Sequence, residues 1–200
     1  MTWHRPGRRS VAAAERRLDD AFAALPRAQF LPEDQRPYAA QDRPLPIGEG
    51  QTSSQPSTVR AMLALLDVRP GQRVLDVGAG SGWTTALLAR LVGPTGRVVG
   101  VELEPRLAEW GAQNLARAGM PWASLEPATE GVLGRPDLAP FDRILVSAMA
   151  SRLPEELVEQ VARPGRMVVP VAGTMLLVVR DDVGEVTVHR HGAYSFVPLR

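Results

Sequence analysis

From Val74 to Val171 the chain alternates two hydrophobic patterns. Short apolar runs at Val74, Leu75 and Val77, at Arg97–Val101, at Phe141–Ser147 (FDRILVS) and at Arg166–Val171 predict buried strands. Between them, Trp83–Leu91 and Pro105–Ala118 place apolar residues at helical spacing, and Gly119 suits a helix C-terminal cap. Trp122–Leu125 predicts a further short strand, and Pro154–Val161 a short amphipathic helix ending before Pro164 and Gly165. Strand and helix in alternation imply a parallel sheet covered on both faces. Met175–Arg180 and Glu185–Arg190 then predict an antiparallel hairpin across DDVG. Upstream, Ser10–Leu25 predicts a helix with Ser10 as N-cap and Pro26 at its end. Thr58–Leu66 predicts another, after which Pro70 and Gly71 turn the chain into the sheet. Phe30–Pro56 shows neither period. Its prolines and its apolar anchors Phe30, Leu31, Tyr38, Leu45 and Ile47 predict an ordered loop packed on the core.

The junction of the first strand and helix carries the most chemistry. In VLDVGAGSGW, Asp76 ends the strand and Gly78, Gly80 and Gly82 form the turn. Glycine there permits positive φ and close approach of a ligand. The next strand ends in Glu102, and an acid at that place can accept both ribose hydroxyls of a nucleoside. The pattern differs from the dinucleotide fingerprint G-x-G-x-x-G, which puts a helix N-terminus at a pyrophosphate. An acid directed into the turn repels a pyrophosphate and suits a cationic amino-acid group. S-adenosyl-L-methionine, with its ammonium, sulfonium and adenosine, therefore fits better than NAD. The segment resembles motif I of the class I methyltransferases. Asp76 and Ser81 also have a plainer reading, as caps of the following helix.

Composition narrows the remaining classes. Two hundred residues suit one domain with a full core. There is no cysteine, which removes disulfide and thiolate-zinc frameworks. All 23 basic residues are arginine, so lysine Schiff-base chemistry is excluded. A net charge of +1 gives no electrostatic case for nucleic acid. Arg5, Arg8 and Arg9 read as a solvated arm. No apolar run spans a bilayer and no signal peptide is read, so a cytoplasmic protein with no membrane partner is expected. His189 and His191 share one strand face without a third ligand, which predicts a surface pair and no metal site.

A second constellation precedes the glycine turn. RAQFLPE is followed by DRPLPIGEGQTSSQPSTV, residues 42–59. With motif I, this resembles the protein-L-isoaspartate O-methyltransferases, whose segment reads D-x-P-L-P-I-G-x-G-Q-T-I-S-Q-P. APFDRILVSAMA, LPEELVEQVARPGRMVVPVAG and the terminal YSFVPL resemble later motifs of that family in the same order. The resemblance runs from Leu18 to Leu199. Ser53 departs from the usual isoleucine, Thr129–Glu130–Gly131 stands where the family has G-D-G, and Pro164 replaces the first of two glycines.

The resemblance implies a Rossmann-like class I fold, mostly parallel, with helices on both faces and a C-terminal antiparallel hairpin. Within a single domain, residues 1–57 form the N-terminal helix and the substrate and cofactor loop, and 58–200 the core. It implies S-adenosyl-L-methionine as cofactor, held by Gln51, Thr52, Ser53, Asp76, Gly78, Gly80, Ser81, Gly82, Glu102, Leu103, Glu130 and Gly131. It places Ser54 beside a substrate carboxylate as the catalytic residue. A carboxylate is already ionised at neutral pH, so methyl transfer needs orientation and desolvation rather than a strong base. The implied substrate is a protein or peptide bearing L-isoaspartate, handled by a monomer. Pro46–Pro56 and the strand end Val171–Gly173 are candidates for pairing with its backbone. An aspartyl residue of a dedicated biosynthetic peptide, or a small molecule, is the alternative substrate.

Overall fold

The computed structural model describes residues 8–200. Arg5 and the side chains of Arg8, Arg9 and Ser10 lie outside that description. Five helices and nine strands follow in the order α1 (Arg8–Ala24), β1 (Leu45–Gly48), β2 (Gln51–Ser53), α2 (Pro56–Leu66), β3 (Arg73–Val77), α3 (Trp83–Val92), β4 (Arg97–Glu102), α4 (Pro105–Arg117), β5 (Ala123–Pro127), β6 (Phe141–Val146), α5 (Glu155–Glu159), β7 (Val161–Val171), β8 (Thr174–Arg180) and β9 (Val186–Ala193). Strands β3 to β9 form one sheet in the order β5-β4-β3-β6-β7-β8-β9. The first five of these run parallel, and β8 and β9 add antiparallel strands.

Side-chain alternation divides the core between the two faces of the sheet. Val74, Val98, Leu145, Val168 and Leu177 pack with α1 to α4 on one face. Leu75, Val77, Val99, Ile144, Met167 and Val169 pack on the other with Leu157 of α5 and the loop through Leu133 and Leu138. The parallel strands are therefore apolar on both sides, which is why they read as continuous runs. The strand order reverses between β3 and β6, since β3 continues to β4 on one side while β6 lies on the other. Parallel sheets open a crevice at such a point, beyond the carboxyl ends of the strands.

Three expectations change. The segment read as a loop contains a hairpin, β1 paired antiparallel with β2, and 3-10 turns at Arg27–Phe30 and Glu33–Tyr38. Buried Leu45 and Ile47 alternate with exposed Pro46 and Gly48, but two apolar positions among prolines and glycines are too few to register as a period. The predicted helix over 154–161 ends at Glu159, and β7 begins at Val161. Phe141 pairs with Val161, but Arg143 pairs with Arg166, so Pro164 and Gly165 lie in an irregularity of β7 rather than ahead of it. Helix α1 begins at Arg8, so Ser10 lies within it and not at its N-cap.

Candidate active site

The glycine turn is held by backbone bonds to the neighbouring strand. Gly78 N and Ala79 N both donate to Val101 O, at 2.9 and 3.1 Å, and Gly82 N donates to Ala79 O at 2.9 Å. Gly78, Gly80 and Gly82 all have positive φ, as the sequence requires. The Glu102 carboxylate is buried beside them. One oxygen accepts Gly80 N at 2.8 Å and the other accepts Glu104 N at 3.0 Å. Glu102 thus braces the turn while its edge faces a cavity.

That cavity has a volume of about 550 Å³ and lies beyond the ends of β3, β4 and β6. Gln51, Thr52, Gly78, Gly80, Glu102, Leu103, Glu130 and Gly131 all line it. A smaller recess of about 30 Å³ adjoins it and shares Ile47, Thr52, Gly78, Gly80 and Ser147 as walls. Ser53, Ser54 and Ser81 line this recess.

Two expected ligand residues line neither space. Asp76 is fully buried, and its Oδ2 accepts the hydroxyls of Thr84 and Thr85 at 2.8 and 2.7 Å. The parity of β3 puts it on the helix-covered face, so it binds the first turn of α3 instead of pointing into the glycine turn. Burial raises its carboxyl to about 6, against the pull of the two threonine hydroxyls. Gly82 is needed for packing: a Cβ there would sit 2.9 Å from Gly111 O of α4. Ser53 is also more anchor than ligand. Its hydroxyl accepts Arg27 Nε at 3.0 Å and its carbonyl accepts another guanidinium nitrogen at 2.7 Å.

Arg27 organises the whole segment ahead of Ser54. It is 4% exposed and also donates to the carbonyls of Gln41 and Arg43. It lies 5.7 Å from the Trp83 ring, and burial lowers its pKa to about 10. Leu45 and Ile47 pack with Leu31 and Leu107, seating the hairpin on α4 and over the glycine turn. A Cβ on Gly80 would come within 3.1 Å of Ile47 Cδ1.

The far wall was not foreseen. Ser147, Ala148, Ala150, Ser151 and Arg152, from the end of β6 onward, line the large cavity with Val197–Arg200. The C-terminal segment is tied there by Met149 N to Val197 O at 2.7 Å and Leu199 N to Met149 O at 2.8 Å. YSFVPL stood out in the sequence, but no periodic signal says that it returns to the end of β6. The expected pairing of a peptide along Val171–Gly173 is corrected. Ala172 N donates to Ala150 O, Gly173 O accepts Tyr194 N, and Gly173 N donates to the Met149 sulfur, so that edge is already engaged. Of the histidine pair, His189 is exposed and His191 half-buried, both on β9 away from either cavity.

Comparison with known proteins gives one consistent result. The family model described as protein-L-isoaspartate(D-aspartate) O-methyltransferase matches residues 7–200. A protein-L-isoaspartate O-methyltransferase of Methanopyrus kandleri is 46% identical over 187 residues, covering 92% of this chain and 83% of the relative. One from Aeropyrum pernix is 46% identical over 197 residues, covering 96% and 75%. A crystal structure of a Plasmodium falciparum protein-L-isoaspartate O-methyltransferase bound to S-adenosyl-L-homocysteine superposes with a TM-score of 0.80 at 25% identity. It covers 95% of this chain and 96% of that one.

Proposed function

Because the chain belongs to the protein-L-isoaspartate(D-aspartate) O-methyltransferase family, we propose that it methylates the α-carboxylate of L-isoaspartyl residues in damaged proteins and peptides, with S-adenosyl-L-methionine as donor. The observation that carries this reading is the joined pair of spaces: a large cavity floored by Glu102 and the glycine turn, opening into a hydroxyl-lined recess at Ser54. The large cavity falls within the usual range for small-molecule sites, roughly 300–1,000 Å³. Its residues fit the donor. Glu102 offers carboxylate oxygens at the strand end, Leu103 and Val132 offer apolar surface, and Gly78 and Gly80 leave backbone room. The related Plasmodium protein holds S-adenosyl-L-homocysteine, the product of such a transfer.

S-adenosyl-L-methionine supplies an electrophilic methyl group on a sulfonium. The rest falls to this chain's own residues. Gln51 and Thr52, on the hairpin, and Glu130 and Gly131, after β5, close the cavity from two sides and limit water. Ser54 hydrogen-bonds one oxygen of the incoming carboxylate and leaves the other to react, so its role is orientation and not proton abstraction. Asp76 acts by holding α3 against the strand, one layer behind the site. Among the described residues no helix is long and apolar enough to cross a membrane.

The direct test is transfer of labelled methyl from S-adenosyl-L-methionine to an isoaspartyl peptide, with the aspartyl peptide as control. Base-labile methylation of the isoaspartyl peptide alone is expected. Binding of S-adenosyl-L-homocysteine with transfer to neither peptide would overturn the substrate assignment.

A further inference from the structure

We propose that the small recess is the seat of the substrate carboxylate, and that Ser147 is its second hydroxyl donor, facing Ser54 across the strand crevice. This rests on the carboxyl methyltransferase reading above. Ser147 lines both the recess and the large cavity, and so does Gly78. It is the residue after the last paired position of β6, and its N–H donates to Val77 O at 2.8 Å. Its backbone is thus fixed to the end of β3, at the point where the strand order reverses. Gly78 forms the opposite lip. A Cβ on Gly78 would lie 3.6 Å from the Ser147 carbonyl carbon, so the two lips nearly touch.

The chemistry of the recess selects its occupant. The residues lining it include Thr52, Ser53, Ser54, Ser81, Thr84 and Ser147, and no arginine or histidine. Two of those hydroxyls are committed, Ser53 to Arg27 and Thr84 to Asp76. Those of Thr52, Ser54, Ser81 and Ser147 have no hydrogen-bond partner among the described residues; Ser147 alone of the four stands at the end of a strand of the main sheet. A recess of about 30 Å³ has room for a small polar group such as a carboxylate. Uncommitted O–H donors suit an acceptor-only group, which an ionised carboxylate is. Neutral donors also suit a carboxylate that must react. A guanidinium would clamp both oxygens and neutralise the nucleophile, whereas one hydroxyl on each side fixes the plane of the group and leaves lone pairs toward the large cavity. Ser54 arrives on the loop after β2 and Ser147 at the end of β6, so the pair also sets the hairpin wall in register with the sheet.

The test compares Ser147→Ala and Ser147→Thr with the unaltered chain, each saturated with S-adenosyl-L-homocysteine. Titration calorimetry reads the affinity for an isoaspartyl peptide and for the same peptide with the α-carboxylate replaced by a carboxamide. Hydrogen bonds to a charged group predict that Ser147→Ala loses about tenfold to a hundredfold in affinity for the acid peptide. Affinities for the carboxamide peptide and for S-adenosyl-L-homocysteine should hold, and Ser147→Thr should recover most of the acid-over-amide preference. A purely structural role would shift both peptides together, and that result overturns the proposal. So does an Ala variant that keeps the full preference for the acid. If the unaltered chain binds S-adenosyl-L-homocysteine but not the isoaspartyl peptide, the enzymatic reading falls and this inference with it.

Discussion

At the scale of single residues, the acids separate into different jobs that their spacing in the sequence does not distinguish. Asp76 and Glu102 both lie near the carboxyl ends of short apolar strands, and both read as ligands. Glu102 lines the cavity; Asp76 does not, because β3 turns it toward Thr84 and Thr85. Its pKa of about 6 against 3.8 for the free group has a consequence for stability. The folded protein holds the proton more tightly than the unfolded chain. The contribution is therefore complete below about pH 4 and is lost as pH rises through about 6, a difference on the order of 3 kcal/mol. Asp76→Asn keeps an oxygen for both threonines and carries no buried charge. Its melting temperature should gain on the unaltered protein by several degrees between pH 4 and pH 7; a difference that stays constant across that range would refute the assignment. Ser54→Ala makes the opposite demand. Turnover on the isoaspartyl peptide should fall about tenfold or more with S-adenosyl-L-homocysteine affinity intact, and unchanged turnover would remove Ser54 from the mechanism.

At the scale of elements, legibility follows how local the determinant is. The parallel strands and α3 and α4 were readable because burial on fixed faces imposes a period on the sequence itself. The β1–β2 hairpin was not, since its stability comes from Arg27 below and Leu107 of α4 behind. Gly111 shows the same limit. In sequence it is a weak point in a helix, but a Cβ there would meet Gly80 O at 2.7 Å and Leu125 Cδ1 at 2.8 Å. The glycine is what lets α4 press against the turn that floors the cavity. Gly111→Ala should gain up to about 1 kcal/mol in helix propensity and lose about 1–3 kcal/mol to overpacking against backbone. The expected balance is a lower melting temperature by a few degrees, together with weaker S-adenosyl-L-homocysteine binding as the turn is displaced. Calorimetry on the variant decides it: an unchanged or raised melting temperature would mean that α4 can shift without cost.

At the scale of the molecule, the site is assembled from five distant parts of the chain: the hairpin, the glycine turn with Glu102, the loop after β5, the end of β6 and the C-terminal segment. The first two were legible, because Asp42–Val59 and Val74–Glu102 carry their residues in compact motifs. The last two were not assigned to the site, because their contacts join residues nearly fifty positions apart. Val197 and Leu199 bracket Met149 through backbone bonds, two residues beyond Ser147, while Arg200 pairs with Glu104 just past Glu102. The segment therefore bridges the β6 side of the cavity and the Glu102 side. The ion pair is half exposed and contributes little by itself, at most about 1 kcal/mol. The backbone bonds and the packing of Leu199 on the second core carry the closure. Replacing Arg200 by Ala should thus leave turnover within about threefold of the unaltered protein. Removing residues 197–200 should lower kcat/KM for the isoaspartyl peptide by about a hundredfold or more. KM for the peptide should rise further than the dissociation constant of S-adenosyl-L-homocysteine, because Gly80, Glu102 and Leu103 stay in place on their strands. If the shortened chain turned over the peptide normally, Val197–Arg200 would be a covering of the fold and not a wall of the site.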